Sequence, residues 1–141
     1  MKNRAKSGQK AVFLDRDGII IKHIDQMHAV KDLRLLPGVS RAINKLNKLS
    51  FFVIIVTNQP VVARGIVGPK EIDEIHGVLI RRLHGKGARI DGIYYCPHHP
   101  DANLPKYRLK CKCRKPEPGM ILRGLKELKI DPKKSFMVGD A

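Results

Sequence analysis

Two aspartates two residues apart, Asp15 and Asp17, follow a short apolar run in the segment FLDRDG. A carboxylate leaving a strand end can hold Mg²⁺ and attack phosphorus in line, forming an aspartyl-phosphate. A second carboxylate two residues later can protonate the leaving oxygen and then deprotonate the hydrolytic water. Gly18 lets the chain turn sharply behind the pair. Alone, the pattern equally describes a strand-ending turn, because Asp and Gly are common turn residues. Three further segments shift the balance. Val56-Thr57-Asn58-Gln59 closes a second apolar run and offers a hydroxyl, amides and backbone N–H groups to phosphate oxygens. Arg114-Lys115-Pro116 places cations just before an expected helix, where anions already bind well. Met137-Val138-Gly139-Asp140 ends in another carboxylate, suited to holding Mg²⁺ opposite Asp15.

The cysteines form a second constellation. Cys96-Pro97-His98 and Cys111-Lys112-Cys113 give C-x-H and C-x-C, separated by the 12 residues 99–110. Three thiolates and one imidazole complete a tetrahedral structural zinc site with no open position. Six cations, Lys106, Arg108, Lys110, Lys112, Arg114 and Lys115, are expected to lower the thiol pKa values. The loop is long and polar, so closure by a metal supplies the order that burial does not. A disulfide does not suit a cytosolic chain. His99 is the alternative to His98 as the fourth ligand, while His23, His28, His76 and His84 read as structural or exposed.

The elements that must position these groups follow from periodicity. Residues 1–9 read as a flexible basic tail preceding one domain over 10–141. Ala11–Leu14 reads as a buried strand, and Gly38–Leu49 as a helix with Val39, Ile43, Leu46 and Leu49 on one side. Phe51–Val56 (FFVIIV) is a run expected of a strand covered on both faces. A helix from Pro69 to a stop near Gly85 follows, then a strand over Ile90–Tyr95 and a polar loop over Cys96–Pro116. A helix over Glu117–Leu128 and a strand over Ser135–Gly139 complete the order. Strands alternating with helices imply an α/β fold with a parallel sheet flanked by helices. In such sheets ligands bind beyond the carboxyl ends of the strands, which is where Asp15, Thr57, Asn58 and Asp140 fall.

FLDRDG, VTNQ, CRKPEPGM and MVGD together resemble the haloacid-dehalogenase (HAD) superfamily of phosphatases over about residues 10–140. The stretches IDGIYYCPHHP and CKCRKPEPGM are most similar to the branch containing heptose 1,7-bisphosphate and histidinol-phosphate phosphatases. The resemblance implies a HAD-like Rossmannoid sheet with Asp15 as nucleophile and Asp17 as general acid and base. It also implies Thr57 and Lys115 as phosphate ligands, and Asn58, Gln59, Arg64 and Arg114 near the substrate. Mg²⁺ would be held by Asp15, Asp140 and the backbone carbonyl of Asp17, and structural Zn²⁺ by Cys96, His98, Cys111 and Cys113. Three features depart from the family pattern. Pro60, Val61 and Val62 replace a small residue and a glycine after TNQ, which is expected to alter the substrate-facing loop. Ile21 stands where Asn is common. The chain ends at Ala141, one residue past Asp140, where related enzymes continue through a second acidic residue and further strand and helix. On that expectation the domain is C-terminally truncated relative to the family, and its Mg²⁺ site is weakened.

Composition bounds the rest. The 141 residues suffice for one core, and no apolar run approaches the roughly 20 residues that cross a bilayer. The basic N-terminus is followed by aspartates rather than by a secretory signal, so a cytoplasmic location is expected. The formal charge of +15 favours anionic partners of any kind. The leading expectation is a Mg²⁺-dependent phosphomonoester hydrolase removing the 7-phosphate of D-glycero-D-manno-heptose 1,7-bisphosphate, working as a monomer without a membrane partner. Histidinol phosphate is the alternative substrate. A DNA 3′-phosphatase would suit the charge, but the cysteine loop is more similar to the sugar-phosphate branch. A different class is a zinc-stabilised basic nucleic-acid-binding protein that has lost catalysis. With four Phe, three Tyr and no Trp, no stacking platform is visible, so nucleic acid ranks below a small phosphorylated sugar.

Overall fold

A computed structural model describes residues 8–139. Seven main elements alternate along the chain: β1 (Ala11–Leu14), α1 (Val39–Lys48), β2 (Phe52–Asn58), α2 (Pro69–Gly85), β3 (Gly92–Cys96), α3 (Gly119–Glu127) and β4 (Phe136–Val138). The strands form one sheet in the order β3-β2-β1-β4, with every neighbouring pair parallel. Helices lie between consecutive strands, so each strand returns in the same direction and all four carboxyl ends reach one edge.

The two faces of the sheet read directly from strand alternation. Val12 and Leu14 of β1, with Val53 and Ile55 of β2, pack against Ile43 of α1 and Ile75, Leu79 and Leu83 of α2. The intervening residues Ala11, Phe13, Phe52, Ile54 and Val56 face the other side, where Met120, Leu125 and Leu128 cover them. β2 is therefore buried on both faces, as its unbroken apolar run requires. Helix α3 approaches closely because Gly124 carries no Cβ: one placed there would sit 3.1 Å from Phe13 Cε2. At the opposite margin, all three residues of β4 are exposed, and Phe136 leans on Phe51 with ring centroids 6.1 Å apart.

Several boundaries differ from the sequence expectation for physical reasons. β2 runs two residues past its apolar run, because Thr57 and Asn58 keep their parallel register with Tyr95 and Cys96. β3 begins at Gly92, later than expected, and extends to Cys96. Gly8 and Gln9, assigned to the basic tail, both donate backbone N–H groups to the Lys129 carbonyl, and Gln9 bridges Ile130. Residues 1–7 lie outside the described part. Val61 and Val62, expected to alter the substrate-facing loop, have their side chains turned inward. They are buried and pack with Val67 and Ile72 against Tyr95 and Tyr107. Ile21 is also fully buried, in bridges to Asp17 and Leu35 that close the turn after the aspartates. Among the described residues, no helix is long and apolar enough to cross a membrane.

Ile55 is fully buried at the centre of this sheet. Ile55→Ala is expected to lower unfolding stability by about 2–5 kcal/mol, read from urea denaturation, because the cavity is walled by helices that cannot collapse freely.

Candidate functional site

The strand ends gather the aspartates, the VTNQ residues and Lys115 around one open cleft of about 920 Å³. Its walls include Asp15, Asp17, Thr57, Asn58 and Lys115, together with His23, Pro116, Glu117 and Gly139. The backbone N–H of Asp15 bonds to the Val138 carbonyl at 3.0 Å, which fixes where the strand end releases the side chain. Asp15 Oδ1 accepts the Arg16 N–H at 2.8 Å, and Asp15 Oδ2 pairs with Lys115 Nζ at 3.0 Å. The turn behind them closes through Gly18, whose φ of +83° suits glycine and whose N–H reaches the Ile21 carbonyl at 2.9 Å.

Lys115 is placed by Asn58. Asn58 Oδ1 accepts the Lys115 N–H at 2.9 Å, and Asn58 Nδ2 donates to the Lys115 carbonyl at 3.2 Å. The side chain therefore spends its donor and its acceptor on the loop that carries the cation. Gln59, expected near the substrate, is buried instead. Its Nε2 donates to Thr57 Oγ1 at 2.9 Å and to Asp17 Oδ2 at 3.3 Å. Arg64 is exposed, and its carbonyl accepts from Asn103 Nδ2 at 3.3 Å; its side chain is not among the walls of the cleft. Arg114 lines an adjoining cleft of about 500 Å³ with Lys110, which shares Pro116 and Glu117 with the first. Asp140 lies outside the described residues, one position beyond Gly139 of the cleft wall.

The structure adds two residues that sequence reading passed over. Arg16, between the aspartates, is only 1% exposed; its Nε donates to Asp17 Oδ1 at 2.8 Å and its Nη1 to His76 Nε2 at 3.1 Å. His76, read as structural or exposed, is buried on α2 in a T-shaped contact with Tyr95. The signal in the sequence was faint: a histidine on the apolar face of an amphipathic helix, at the spacing of Ile72, Ile75 and Leu79.

The cysteine loop closes beside this cleft, because register places Cys96 opposite Asn58 and the Gln59 N–H bonds to the Cys96 carbonyl at 2.8 Å. Cys96, His98, Cys111 and Cys113 bring their ligand atoms within 4.8 Å of one another. The Cys96–Cys111 and Cys111–Cys113 sulfur separations are 3.4 Å, the Cys96–Cys113 separation is 2.8 Å, and His98 Nδ1 lies 3.6 Å from Cys96 Sγ and 3.4 Å from Cys113 Sγ. A tetrahedron with Zn–S bonds of about 2.3 Å has S···S edges of about 3.8 Å, so this donor set fits zinc after small adjustment. His98 supplies the nitrogen, while His99 Nδ1 accepts the Asp101 N–H at 3.0 Å.

The thiols are not lowered uniformly, contrary to what the basic loop led one to expect. Burial pushes Cys96 and Cys113 up. Cys111 is also raised by desolvation, but hydrogen bonds from Cys113, Cys96 and the Arg114 N–H outweigh it and bring it down to about 6. Neighbouring thiols and a backbone amide, rather than the lysines, set that value. The loop is seated on α3 by Gly119, whose N–H bonds to the Lys112 carbonyl at 2.7 Å and whose missing Cβ leaves room for that carbonyl.

A parallel sheet with an aspartate pair at the β1 end, a cation over it and a Cys₃His loop alongside is a HAD-like phosphatase arrangement. The chain belongs to the polynucleotide kinase 3 phosphatase family, whose model matches residues 10–141. It is 44% identical over 133 residues to D-glycero-beta-D-manno-heptose-1,7-bisphosphate 7-phosphatase of Photorhabdus laumondii, covering 94% of this chain and 71% of that one. The protein of that name from Escherichia coli K12 is 39% identical over 130 residues, covering 92% of this chain and 68% of the relative. Among solved structures, D,D-heptose 1,7-bisphosphate phosphatase of B. bronchiseptica, complexed with magnesium and phosphate, superimposes with a TM-score of 0.81 at 33% identity, covering 94% of this chain and 70% of that one. A HAD-like chain from Mesorhizobium loti superimposes with a TM-score of 0.91 at 32% identity; this chain covers it with 96% of its own length and spans 65% of the other.

Two measurements check this site. The chain is expected to bind about one zinc ion, by atomic emission; Cys113→Ser should release it and lower the Tm. His76 supplies the second. Burial, with the Arg16 charge assisting and Asp17 opposing, holds it at about 3, below the ordinary 6.5. Between those values the unfolded chain takes up a proton that the folded chain does not. Stability should therefore fall as pH drops below about 6.5, by up to about 1.4 kcal/mol per unit, and His76→Gln should flatten the slope in denaturation series.

Proposed function

We propose that the chain hydrolyses the 7-phosphate of D-glycero-D-manno-heptose 1,7-bisphosphate through an aspartyl-phosphate on Asp15. The observation that carries this reading is Lys115 Nζ, 3.0 Å from Asp15 Oδ2 at the mouth of the cleft. A phosphoryl group entering there would exchange one anion for another beside the same cation. Asp15 attacks phosphorus in line, the P–O bond to the sugar breaks, and Asp17 gives its proton to the leaving oxygen. Asp17 then takes a proton from water, whose oxygen attacks phosphorus and releases inorganic phosphate, regenerating Asp15. Thr57 borders the cleft at the end of β2 as a phosphate ligand, with Asn58 keeping Lys115 in place.

The donor set fits magnesium. Asp15 and Asp17 present hard oxygen ligands at one strand end, and the solved relative from B. bronchiseptica holds magnesium with phosphate. Asp15, the Asp17 carbonyl and Asp140 would hold the ion, which when bound offsets charge on the phosphoryl oxygens. The substrate is supported by relatives at 38–44% identity that carry the heptose bisphosphatase name. Arg114, in the adjoining cleft, is the residue we assign to gripping the substrate away from the reacting phosphate; Arg64 and Gln59 do not border the cleft. A cytoplasmic setting suits three free thiols gathered within bonding range of a metal.

The test is phosphate release with Mg²⁺ from the heptose bisphosphate, histidinol phosphate and a 3′-phosphorylated oligonucleotide. The expected order places the heptose first. Asp15→Asn should abolish release, and Lys115→Ala should lower kcat/KM by about 100-fold or more, the scale of losing one charge-stabilising donor. Release by Asp15→Asn at the wild-type rate would remove Asp15 from the reaction. Preference for the oligonucleotide would replace the sugar as substrate.

A further inference from the structure

Asp17 is held at both oxygens, by different means. Arg16 Nε donates to Oδ1 at 2.8 Å, whereas Gln59 Nε2 reaches Oδ2 at the longer 3.3 Å. Oδ1 is thus committed to a close ion pair, and Oδ2 is the oxygen left to exchange a proton. The pair is only as well placed as Arg16 itself, and Arg16 is almost wholly buried. A guanidinium in that position needs further acceptors, since its donors cannot turn to water. His76 provides one from sixty residues away, at 3.1 Å from Nη1.

We infer that His76 is a positioning residue for the reaction: its Nε2 accepts from Arg16, and Arg16 in turn fixes the Asp17 carboxylate so that Oδ2 faces the leaving oxygen. This rests on Asp17 as the proton-exchanging group. An imidazole that accepts at Nε2 must be neutral and carry its proton on Nδ1. Burial, with the Arg16 charge assisting and Asp17 opposing, favours the neutral ring. A neutral acceptor also leaves the guanidinium charge to Asp17 alone, where a carboxylate at that place would compete for it. The ring also packs on Tyr95, with centroids 5.7 Å apart and planes at 67°. Tyr95 sits opposite Thr57 in the sheet and directly before Cys96, so the support reaches the strand that carries the cysteine loop.

The experiment compares two substrates that differ in their need for a proton, each between wild type and variant: an alkyl phosphomonoester, and p-nitrophenyl phosphate, whose phenolate leaves unaided. kcat/KM reads the first phosphoryl transfer. His76→Leu is expected to lower it by about 10- to 100-fold on the alkyl ester and by no more than about threefold on the aryl ester. His76→Gln, which restores an acceptor oxygen, should recover most of the loss. In an Asp17→Asn background the Leu substitution should add nothing. Equal losses on both esters, or a Gln variant no better than Leu, would make His76 merely structural and overturn the inference. Ring nitrogen shifts of the unaltered protein give a readout that needs no turnover: a proton on Nδ1 is expected, and one on Nε2 rules the contact out. Should the chain hydrolyse neither ester, the proposed reaction falls while the tautomer still decides whether His76 accepts from Arg16.

Discussion

Asn58 holds Lys115 by both its backbone groups, and the candidate site depends on that joint. Lys115 lies on a loop of about twenty residues between β3 and α3, outside the strand ladder. A cation on such a loop would be spread over many positions, and its attraction for a carboxylate would be diluted by that freedom. Two hydrogen bonds from the last residue of a buried strand remove it. The Asp15–Lys115 pair then forms at a fixed place, on a carboxylate whose own backbone is tied to β4. The rest of the fold serves to keep β2 still, with a hydrophobic layer on each face.

The cysteine loop is part of the same restraint. Its four donors meet next to the end of β3, level with Asn58, so a metal there would pin the loop from one side while Asn58 pins it from the other. Gly119 completes the arrangement by letting the loop carbonyl of Lys112 approach the start of α3. The cysteine cluster and the cleft are thus joined through backbone and share no side chain. Arg114 and Lys115 follow the last cysteine directly and line two adjoining clefts.

The buried side of the site is built differently. Arg16, His76, Gln59 and Thr57 form contacts behind Asp17 that water does not reach freely, and no buried polar side-chain atom among the described residues lacks a partner. A low-dielectric setting makes such a network rigid when complete and costly when broken. That explains why polar residues occupy positions that an apolar core would otherwise fill.

Read from sequence, Asp15, Asp17, Thr57 and Lys115 were recognisable because strand ends and helix starts announce themselves by apolar runs, Gly and Pro. The alternation of strands and helices likewise followed from hydrophobic periodicity, which is local and survives in the linear chain. C-x-H and C-x-C were legible for a similar reason, since closely spaced donors already meet before folding. Roles that depend on which way a side chain turns were not legible. Gln59 and Asn58 are neighbours in VTNQ, yet one turns inward to Asp17 and the other across to Lys115, because the strand ends at Asn58 and Gln59 already belongs to the turn beyond it. That Val61 and Val62 fill a small core was not legible either. The pairing of Arg16 with His76 joins residues sixty positions apart. Only the packing of α2 against the sheet brings them together, since nothing short of tertiary structure sets the distance between two elements that share no sequence pattern.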